Sequence, residues 1–482
     1  MNIAEYLEYD ALGLAELVRK KDVSPKELAL LAAQCVEKVN PTLNAVIEVY
    51  ADRVDGLDES AIPEGPFYGV PFFLKDLGPR QKGRPQDGGS RLTRGYVADY
   101  TSFIAAKMER SGLNVMGRTT CPEFGITGTT ESILTGATCN PWDTTRIAGG
   151  SSGGAAAIVA AGVVPMAHSN DGGGSTRLPA SICGNVGLKN SRGRTSYAPD
   201  GCDISFPLFA EGVNARSVRD AAAFLDATRG PAPGEAVSFV EPPRPFLEET
   251  RQEPGRLRIA VSTQPWGVHT PDGELADAVQ RTGRLCEELG HTVTEATPPI
   301  DFDSYYKLFR DIWCIDIAVM LDMEAEHMGR QVSPQTVEPI TMKIYEEGRR
   351  ASAADRLMVA FGMSQISRQL GAFFEDYDLI LTATMARPTP LLGSGFNLLH
   401  EDQSLDDWFE NALDLIPYTP LNNFTGTPAI SVPLSTGPNN MPLGMHFIAP
   451  MGREDRLLRI AAQLEAAAPW TARLPDVHVS KS

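Results

Sequence analysis

The sequence predicts an α/β fold in which a mixed, mostly parallel central sheet is covered by helices on both faces. Two observations carry this prediction. Short apolar runs of strand length alternate with longer segments of helical periodicity along the chain. In addition, no internal repeat or low-complexity segment divides the chain, so we expect one domain spanning 1–482. Residues 230–255 contain six prolines, but a strand pattern resumes directly after them, which favours a surface connection.

The first half of the chain begins with a clear helix signal. Ser24-Pro25-Lys26-Glu27 forms a capping box with proline at the first helical position, and the helix is expected to run to about Val39. Further helices are predicted over 101–112, 154–161 and 220–227. Strands are predicted over 44–50, 114–117 and 163–167.

The second half continues the alternation and adds one long helical stretch. An amphipathic helix is predicted over 274–289, ending at Gly290, and a closing helix over 456–467. Residues 305–374 contain few helix breakers and are expected to be helical. Strands are predicted over 257–261, 292–295, 378–382, 429–432 and 443–448.

Composition excludes several classes of function. The formal net charge of -18 and the lack of a basic run argue against a nucleic-acid partner. The start of the chain lacks a signal-peptide pattern, and the most apolar stretch, 155–167, is too short to span a membrane. The seven cysteines are scattered without a Cys-x-x-Cys pair, which indicates neither a disulfide framework nor a zinc site. We therefore expect a cytoplasmic protein with no metal and no membrane partner.

Two glycine-embedded serines and one lysine are the strongest chemical signal. One serine lies in Gly149-Gly150-Ser151-Ser152-Gly153-Gly154, and the other in Asp171-Gly172-Gly173-Gly174-Ser175-Thr176-Arg177. Lys75 follows the apolar run 70–74, where burial would lower its pKa and make it a competent base. Glycines let backbone N–H groups turn toward a developing oxyanion. Two serines and a lysine can form a nucleophilic catalyst without histidine.

The first motif has another interpretation. Gly149-Gly150-Ser151-Ser152-Gly153 also satisfies Gly-x-Ser-x-Gly, which in an α/β-hydrolase-type esterase makes Ser151 the nucleophile. That mechanism needs a histidine, and His269 or His446 could supply it. A purely structural glycine turn entering a helix is a third possibility.

Residues 149–194 resemble the amidase signature family nearly from end to end. The Gly-Gly-Ser-Ser-Gly-Gly string, the alanine-rich helix and the Asp-x-Gly-Gly-Ser-x-Arg motif follow in the family's order. The segments 119–124, 136–142 and 423–430 are similar to flanking parts of that family, so the resemblance is near full length. Within it, the stretch around His168-Ser169-Asn170-Asp171 and the C-terminal segment are similar to the 6-aminohexanoate-cyclic-dimer hydrolase group.

The resemblance implies a Ser-cisSer-Lys triad. Ser175 matches the nucleophile, Ser151 the bridging serine held by a cis peptide bond, and Lys75 the base. The oxyanion hole would be formed by the backbone N–H groups of Gly172, Gly173, Gly174 and Ser175. The loop would be supported by Ser152 and by an ion pair between Asp171 and Arg177. Asn170 departs from the family, which usually has a hydroxyl residue there.

The same resemblance divides the single domain into regions. The catalytic core would comprise about 65–230 with 375–470, and a variable helical region, about 300–375, would shape the substrate pocket. Substrate contacts are expected from Phe124, Gly125, Ile126 and Thr127, and from Cys314, although Cys314 fits a buried core thiol as well. The aromatics Tyr305, Tyr306, Phe309 and Trp313 could line this pocket or pack the core.

The expected activity is hydrolysis of a C–N bond in a small amide, whether linear or cyclic amide, anilide or carbamate, through an acyl-enzyme. No metal or organic cofactor is implied, and the family suggests a homodimer. Two alternatives stay open at this point. One is the glutamine-hydrolysing subunit of a tRNA-dependent amidotransferase, and the other is the esterase with Ser151 as nucleophile.

Overall fold

The computed structural model describes residues 1–201, 204–237, 240–264, 266–267 and 270–481. Cys202, one of the seven cysteines, and His269, considered above as a candidate base, lie outside the described residues. In chain order the strands are β1 (Val46–Val49), β2 (Pro71–Lys75), β3 (Asn114–Thr119), β4 (Glu131–Ser132), β5 (Gly136–Ala137), β6 (Met166–Asn170), β7 (Val186–Lys189), β8 (Glu211–Ala215), β9 (Arg258–Val261), β10 (Thr292–Glu295), β11 (Leu379–Ala383), β12 (Ala429–Thr436) and β13 (Pro442–Ile448).

The helices surround these strands. They are α1 (Ile3–Leu7), α2 (Ala11–Lys20), α3 (Pro25–Leu43), α4 (Phe103–Arg110), α5 (Gly153–Ala160), α6 (Arg177–Cys183), α7 (Val218–Thr228), α8 (Phe246–Glu249), α9 (Gly273–Glu288), α10 (Phe302–Met328), α11 (Pro339–Arg350), α12 (Ala353–Asp376), α13 (Leu405–Leu415), α14 (Pro420–Thr425) and α15 (Glu454–Ala467). The region 305–374, expected to be helical, thus consists mainly of α10, α11 and α12.

The large sheet has the strand order β10-β9-β11-β13-β12-β7-β8-β6. The α/β class and the mixed sheet are confirmed, but the expected dominance of parallel pairs is wrong. Among the described residues of this sheet, only β10 with β9 and β9 with β11 pair in parallel, and the five other neighbouring pairs are antiparallel. Residues 437–441 explain one of these, because so short a connection from β12 to β13 allows only a hairpin.

Helices cover both faces of the sheet. On one face, Ser181 of α6 contacts β13, where its Oγ accepts a hydrogen bond from Gly444 N–H at 2.8 Å. On the other face, the side chains of Ile430 and Val432 join the apolar cluster that contains Leu457 and Ala461 of α15. A second apolar cluster lies between the sheet and helices α10 to α13.

Strand β6 starts three residues later than the predicted strand over 163–167. Gly162 has a φ of +84°, and Val163 N–H bonds back to Ile158 O at 2.9 Å, so these residues still belong to the end of α5. Pro165 has no N–H to donate. The shift matters because it places Asn170 at the last position of β6, directly before the serine motif.

Within the described ranges, no helix is long and apolar enough to cross a membrane. The same residues hold no group of three or more His, Cys, Asp or Glu side chains arranged to bind a metal ion.

Candidate active site

Lys75 is the last residue of β2 and its side chain is completely buried. Phe72, Phe73 and Leu74 precede it on the same strand and are also buried. Burial lowers the pKa of Lys75 to about 8, because the charged ammonium loses its water more unfavourably than the neutral amine does. A lysine in this setting has a substantial neutral fraction near physiological pH, as a general base requires.

The Lys75 ammonium has two close polar partners. Its Nζ lies 2.6 Å from Ser151 Oγ and 2.6 Å from Asn170 Oδ1. The peptide bond between Gly150 and Ser151 is cis, as the family resemblance implies. The structure therefore brings two of the three predicted triad residues into direct hydrogen-bonding contact.

Gly125 packs against this contact. It has a φ of +68°, and a Cβ built on it would lie 3.0 Å from Ser151 Oγ and 2.6 Å from Leu77 Cδ2. The preceding residue, Phe124, also has a positive φ of 47°, which is uncommon for a residue with a side chain. Only a glycine at position 125 leaves Ser151 its present space.

Ser175 lies in the loop between β6 and α6, and only 7% of its surface is exposed. It lines a mainly apolar pocket together with Gly150, whose peptide carries Ser151. We call this cavity, of about 460 Å³, the serine pocket; its wall also includes Ile126, Thr127, Trp313, Trp408 and Leu413. The predicted nucleophile thus opens into a cavity beside the bridging serine.

The predicted ion pair between Asp171 and Arg177 is present and fully buried. Arg177 Nε lies 2.9 Å from Asp171 Oδ2, and Nη2 lies 2.9 Å from Oδ1. Burial alone would raise the pKa of Asp171, but the Arg177 guanidinium holds it well below the usual range. The remaining N–H groups of Arg177 bond Asn422, Asn423 and His446. This network fixes the loop that carries Ser175.

The four predicted oxyanion donors do not share one environment. Gly174 N–H donates to Asp171 Oδ1 at 2.7 Å and is therefore already occupied. Among the described residues, the N–H groups of Gly172, Gly173 and Ser175 have no acceptor. Ser152 has the supporting position expected of it, since its Oγ donates to Asn170 O at 3.3 Å.

A second cavity of about 1000 Å³ is lined by Leu77, which follows Lys75 closely in the chain, and by the Lys75 partner Asn170. We call it the asparagine pocket, because Asn170 is in its wall together with Leu77, Phe124, Phe209 and Met320. The predicted substrate segment is therefore shared: Phe124 lines the asparagine pocket, whereas Ile126 and Thr127 line the serine pocket.

Cys314 is placed in neither cavity wall. It is buried on the face of α10 that packs against α11, where a Cβ on Gly348 would lie 2.0 Å from the Cys314 carbonyl oxygen. Burial raises the pKa of this thiol to about 12. The position is that of the core thiol considered as the alternative. Of the four aromatics considered above for the pocket or the core, Phe309 and Trp313 line the serine pocket, while Tyr305 packs in the second apolar cluster.

Sequence reasoning missed two parts of the site. One is the contact of Asn170 with Lys75, although Asn170 was identified as unusual for the family. The other is the pocket wall supplied by Phe396 and by Trp408, Phe409 and Leu413 of α13. The adjacent aromatics at 408–409, on an amphipathic helix, were the available signal, but nothing in the pattern assigns such a pair to a pocket.

A buried lysine joined to a serine, a second serine at a cavity and free N–H groups beside it form a site suited to acyl transfer. The chain belongs to the Amidase family, whose model matches residues 27–458. It is a hydrolase that acts on an amide C–N bond.

Individual relatives agree with this assignment. A 6-aminohexanoate-cyclic-dimer hydrolase from Paenarthrobacter ureafaciens is 37% identical, with 97% of this chain and 96% of that protein covered. The structure of a 6-aminohexanoate cyclic dimer hydrolase with its substrate is 35% identical and superposes with a TM-score of 0.93, covering 98% and 99% of the two chains. A bacterial aryl acylamidase is 27% identical, with a TM-score of 0.84 and 96% and 97% coverage.

Proposed function

We propose that this chain hydrolyses a small amide through an acyl-enzyme on Ser175, with Ser151 as the proton relay and Lys75 as the base. The observation that carries the proposal is the 2.6 Å contact between Lys75 Nζ and Ser151 Oγ in a fully buried setting. A lysine whose pKa is lowered by burial and that is bonded to a hydroxyl is suited to accept that hydroxyl's proton.

In the proposed acylation step, Ser175 Oγ attacks the carbonyl carbon of the amide. The proton of Ser175 moves to Ser151, and that of Ser151 moves to the Lys75 amine. The oxyanion is received by the N–H groups of Gly172, Gly173 and Ser175, each of which is typically worth about 10²–10³ in rate. Collapse of the intermediate breaks the C–N bond, and the leaving amine takes its proton from Ser151, which regains one from Lys75.

Deacylation repeats these steps with water as the nucleophile. Water attacks the ester on Ser175, its proton passes to the relay, and the carboxylic acid leaves as Ser175 regains its hydrogen. The apolar wall of the serine pocket favours a small uncharged acyl group. Linear and cyclic aliphatic amides head the list of candidate substrates because the similar hydrolases named above act on a cyclic amide dimer. Anilides and carbamates follow.

A fluorophosphonate probe tests this function directly. We expect the probe to label Ser175, as mapped by peptide mass spectrometry, and the labelling to be lost in Lys75→Ala and Ser151→Ala. Ser152→Ala is the matched control, since Ser152 is the neighbour of Ser151 but its hydroxyl bonds Asn170 O and not Lys75. Labelling that persists unchanged in Lys75→Ala would overturn the assignment of the base.

The same experiment decides the esterase alternative, which predicts a label on Ser151. Neither His446 nor His168 supports that alternative. His446 bonds Arg177 and Thr382, and His168 bonds Lys75 N–H and Glu211, so their ring nitrogens are engaged away from Ser151. The amidotransferase alternative is separated by assay of the isolated chain: it predicts hydrolysis of glutamine in preference to aliphatic or aryl amides.

A further inference from the structure

Three elements of the fold each line both cavities. On α10, Phe309 and Trp313 face the serine pocket, and Met320 and Glu324 face the asparagine pocket about two turns further along. In the segment 124–127, the first residue lines one cavity and the last two line the other.

The third shared element is the catalytic loop itself. Asn170, at its start, lines the asparagine pocket, and the residues from Gly173 to Ser175 line the serine pocket. Between them, a Cβ on Gly172 would lie 2.9 Å from Phe209, a wall residue of the asparagine pocket, and 3.5 Å from Trp313, a wall residue of the serine pocket. The two cavities therefore adjoin along the same three elements, and the catalytic loop lies at their junction.

We propose that a substrate spans this junction, with a small apolar acyl portion in the serine pocket and a larger polar amine portion in the asparagine pocket. The inference rests on the proposed function. The acyl group stays attached to Ser175 after the first step, so it must occupy the cavity into which Ser175 opens. The amine takes its proton from Ser151, whose partner Lys75 also bonds Asn170, a wall residue of the other cavity.

The walls of the two cavities differ in polarity, as the proposed placement of the acyl and amine portions requires. The serine pocket is lined by Phe309, Trp313, Phe396 and Trp408, and no charged side chain of the described ranges lines it. The asparagine pocket is about twice as large and carries Arg80, whose guanidinium bonds Glu324 at 2.6 Å and Tyr96 at 3.2 Å. Of the two walls, as far as the described residues show, this second one alone offers charged side chains to a polar ligand.

Two isomeric amides with exchanged halves test the direction of binding. N-(6-hydroxyhexyl)butanamide has the small acyl and the polar amine, and N-butyl-6-hydroxyhexanamide has the reverse. We expect kcat/KM to favour the first isomer by at least about tenfold. Equal rates, or a preference for the second isomer, would overturn the inference.

Two matched tryptophan variants test which cavity holds which half. Leu413 and Met320 are half-buried wall residues of the serine and asparagine pockets, respectively. Leu413→Trp should slow hydrolysis of the butanoyl-enzyme formed from 4-nitrophenyl butanoate about tenfold. Met320→Trp should lower kcat/KM for N-(6-hydroxyhexyl)butanamide by a similar factor and change hydrolysis of the butanoyl-enzyme less than twofold.

Controls keep the two proposals separable. Val319→Trp, on the exposed side of α10 next to Met320, should change neither rate. Fluorophosphonate labelling of Ser175 verifies that each variant is folded and active. A butanoyl adduct that never forms on Ser175 would refute the proposed function. An adduct whose hydrolysis slows equally in Leu413→Trp and Met320→Trp would refute only the division between the cavities.

Discussion

Asn170 holds Lys75 with one end of its amide and the backbone with the other. Its Oδ1 accepts from Lys75 Nζ at 2.6 Å, and its Nδ2 donates to Leu77 O at 3.1 Å. The bond to Leu77 fixes which end of the amide faces the lysine. A neutral Lys75 amine that donates one N–H to Asn170 can then turn its lone pair to the Ser151 hydroxyl, which is the orientation a base needs.

The pH dependence of the reaction should report Lys75. The base works only as the neutral amine, and burial lowers its pKa to about 8. We therefore expect kcat/KM to rise tenfold per pH unit below this value and to level off above it. The measurement is kcat/KM between pH 6 and 10 with one amide substrate. A profile that is flat across pH 7 to 9 would contradict the role of Lys75.

Replacing Asn170 by aspartate should move the rising part of the pH profile of kcat/KM to higher pH. A carboxylate in contact with Nζ favours the charged ammonium, so the pKa of Lys75 should rise by at least about one unit. The rate at pH 7 should fall about tenfold or more and recover at alkaline pH. Asn170→Thr restores the hydroxyl usual in the family and should leave the rise of kcat/KM near its original pH. If Asn170→Asp lowers the rate equally at all pH values, the residue has only a structural role.

Lys75 should also lower stability in a pH-dependent way. Its pKa is about 8 in the folded protein and about 10.4 in an unfolded chain, so between these values the unfolded state binds the extra proton. Stability therefore rises with pH through this window. Below pH 8 the buried ammonium destabilises the folded protein by its full amount. The free energy of unfolding of Lys75→Met, relative to that of the native chain, should increase by on the order of 2–3 kcal/mol as the pH falls from 10 to 7. Urea unfolding at the two pH values measures this, and a difference independent of pH would disprove it.

Much of the catalytic core was predictable because its signals are local. The turn before α5 and the loop between β6 and α6 are specified by adjacent glycines, and the capping box at Ser24 begins α3 as expected. Lys75 ends an apolar strand, a position in which burial of the whole side chain follows from its neighbours. Each of these features depends on a few consecutive residues.

What the sequence could not give depends on distant pairing. The direction of a strand relative to its neighbour is decided by the route of the chain, so the antiparallel pairs around β7, β12 and β13 were missed. The wall supplied by α13 comes from more than 200 residues beyond Ser175 in the chain. Cys314 shows the same difficulty. Whether it lies in the pocket or in the core is decided by which face of α10 packs against α11.

Gly125→Ala should damage catalysis more than stability. The added methyl would lie 3.0 Å from Ser151 Oγ, so the bridging serine has to move away from Lys75 or Ser175. Misplacement of a catalytic group by about 1 Å can cost about 10²-fold in rate. Gly83→Ala is the matched control, with a similar φ of +80° and nothing within 4 Å of the new Cβ. Comparable kcat/KM losses in both variants would mean that the contact with Ser151 is unimportant.

Asp171→Ala should be among the most destabilising single changes at the site. It leaves the guanidinium of Arg177 buried without its carboxylate and removes the acceptor of Gly174 N–H. Removal of one partner from a buried pair typically costs about 3–5 kcal/mol. Asp322→Ala is the control, since its pair with Arg349 is exposed by 38% and 60% and should contribute at most about 1 kcal/mol. Urea unfolding compares the two. Because the same network positions the loop of Ser175, the rate of fluorophosphonate labelling should fall in Asp171→Ala and stay unchanged in Asp322→Ala. Equal behaviour of the two variants in both measurements would show that the buried pair does not hold this loop.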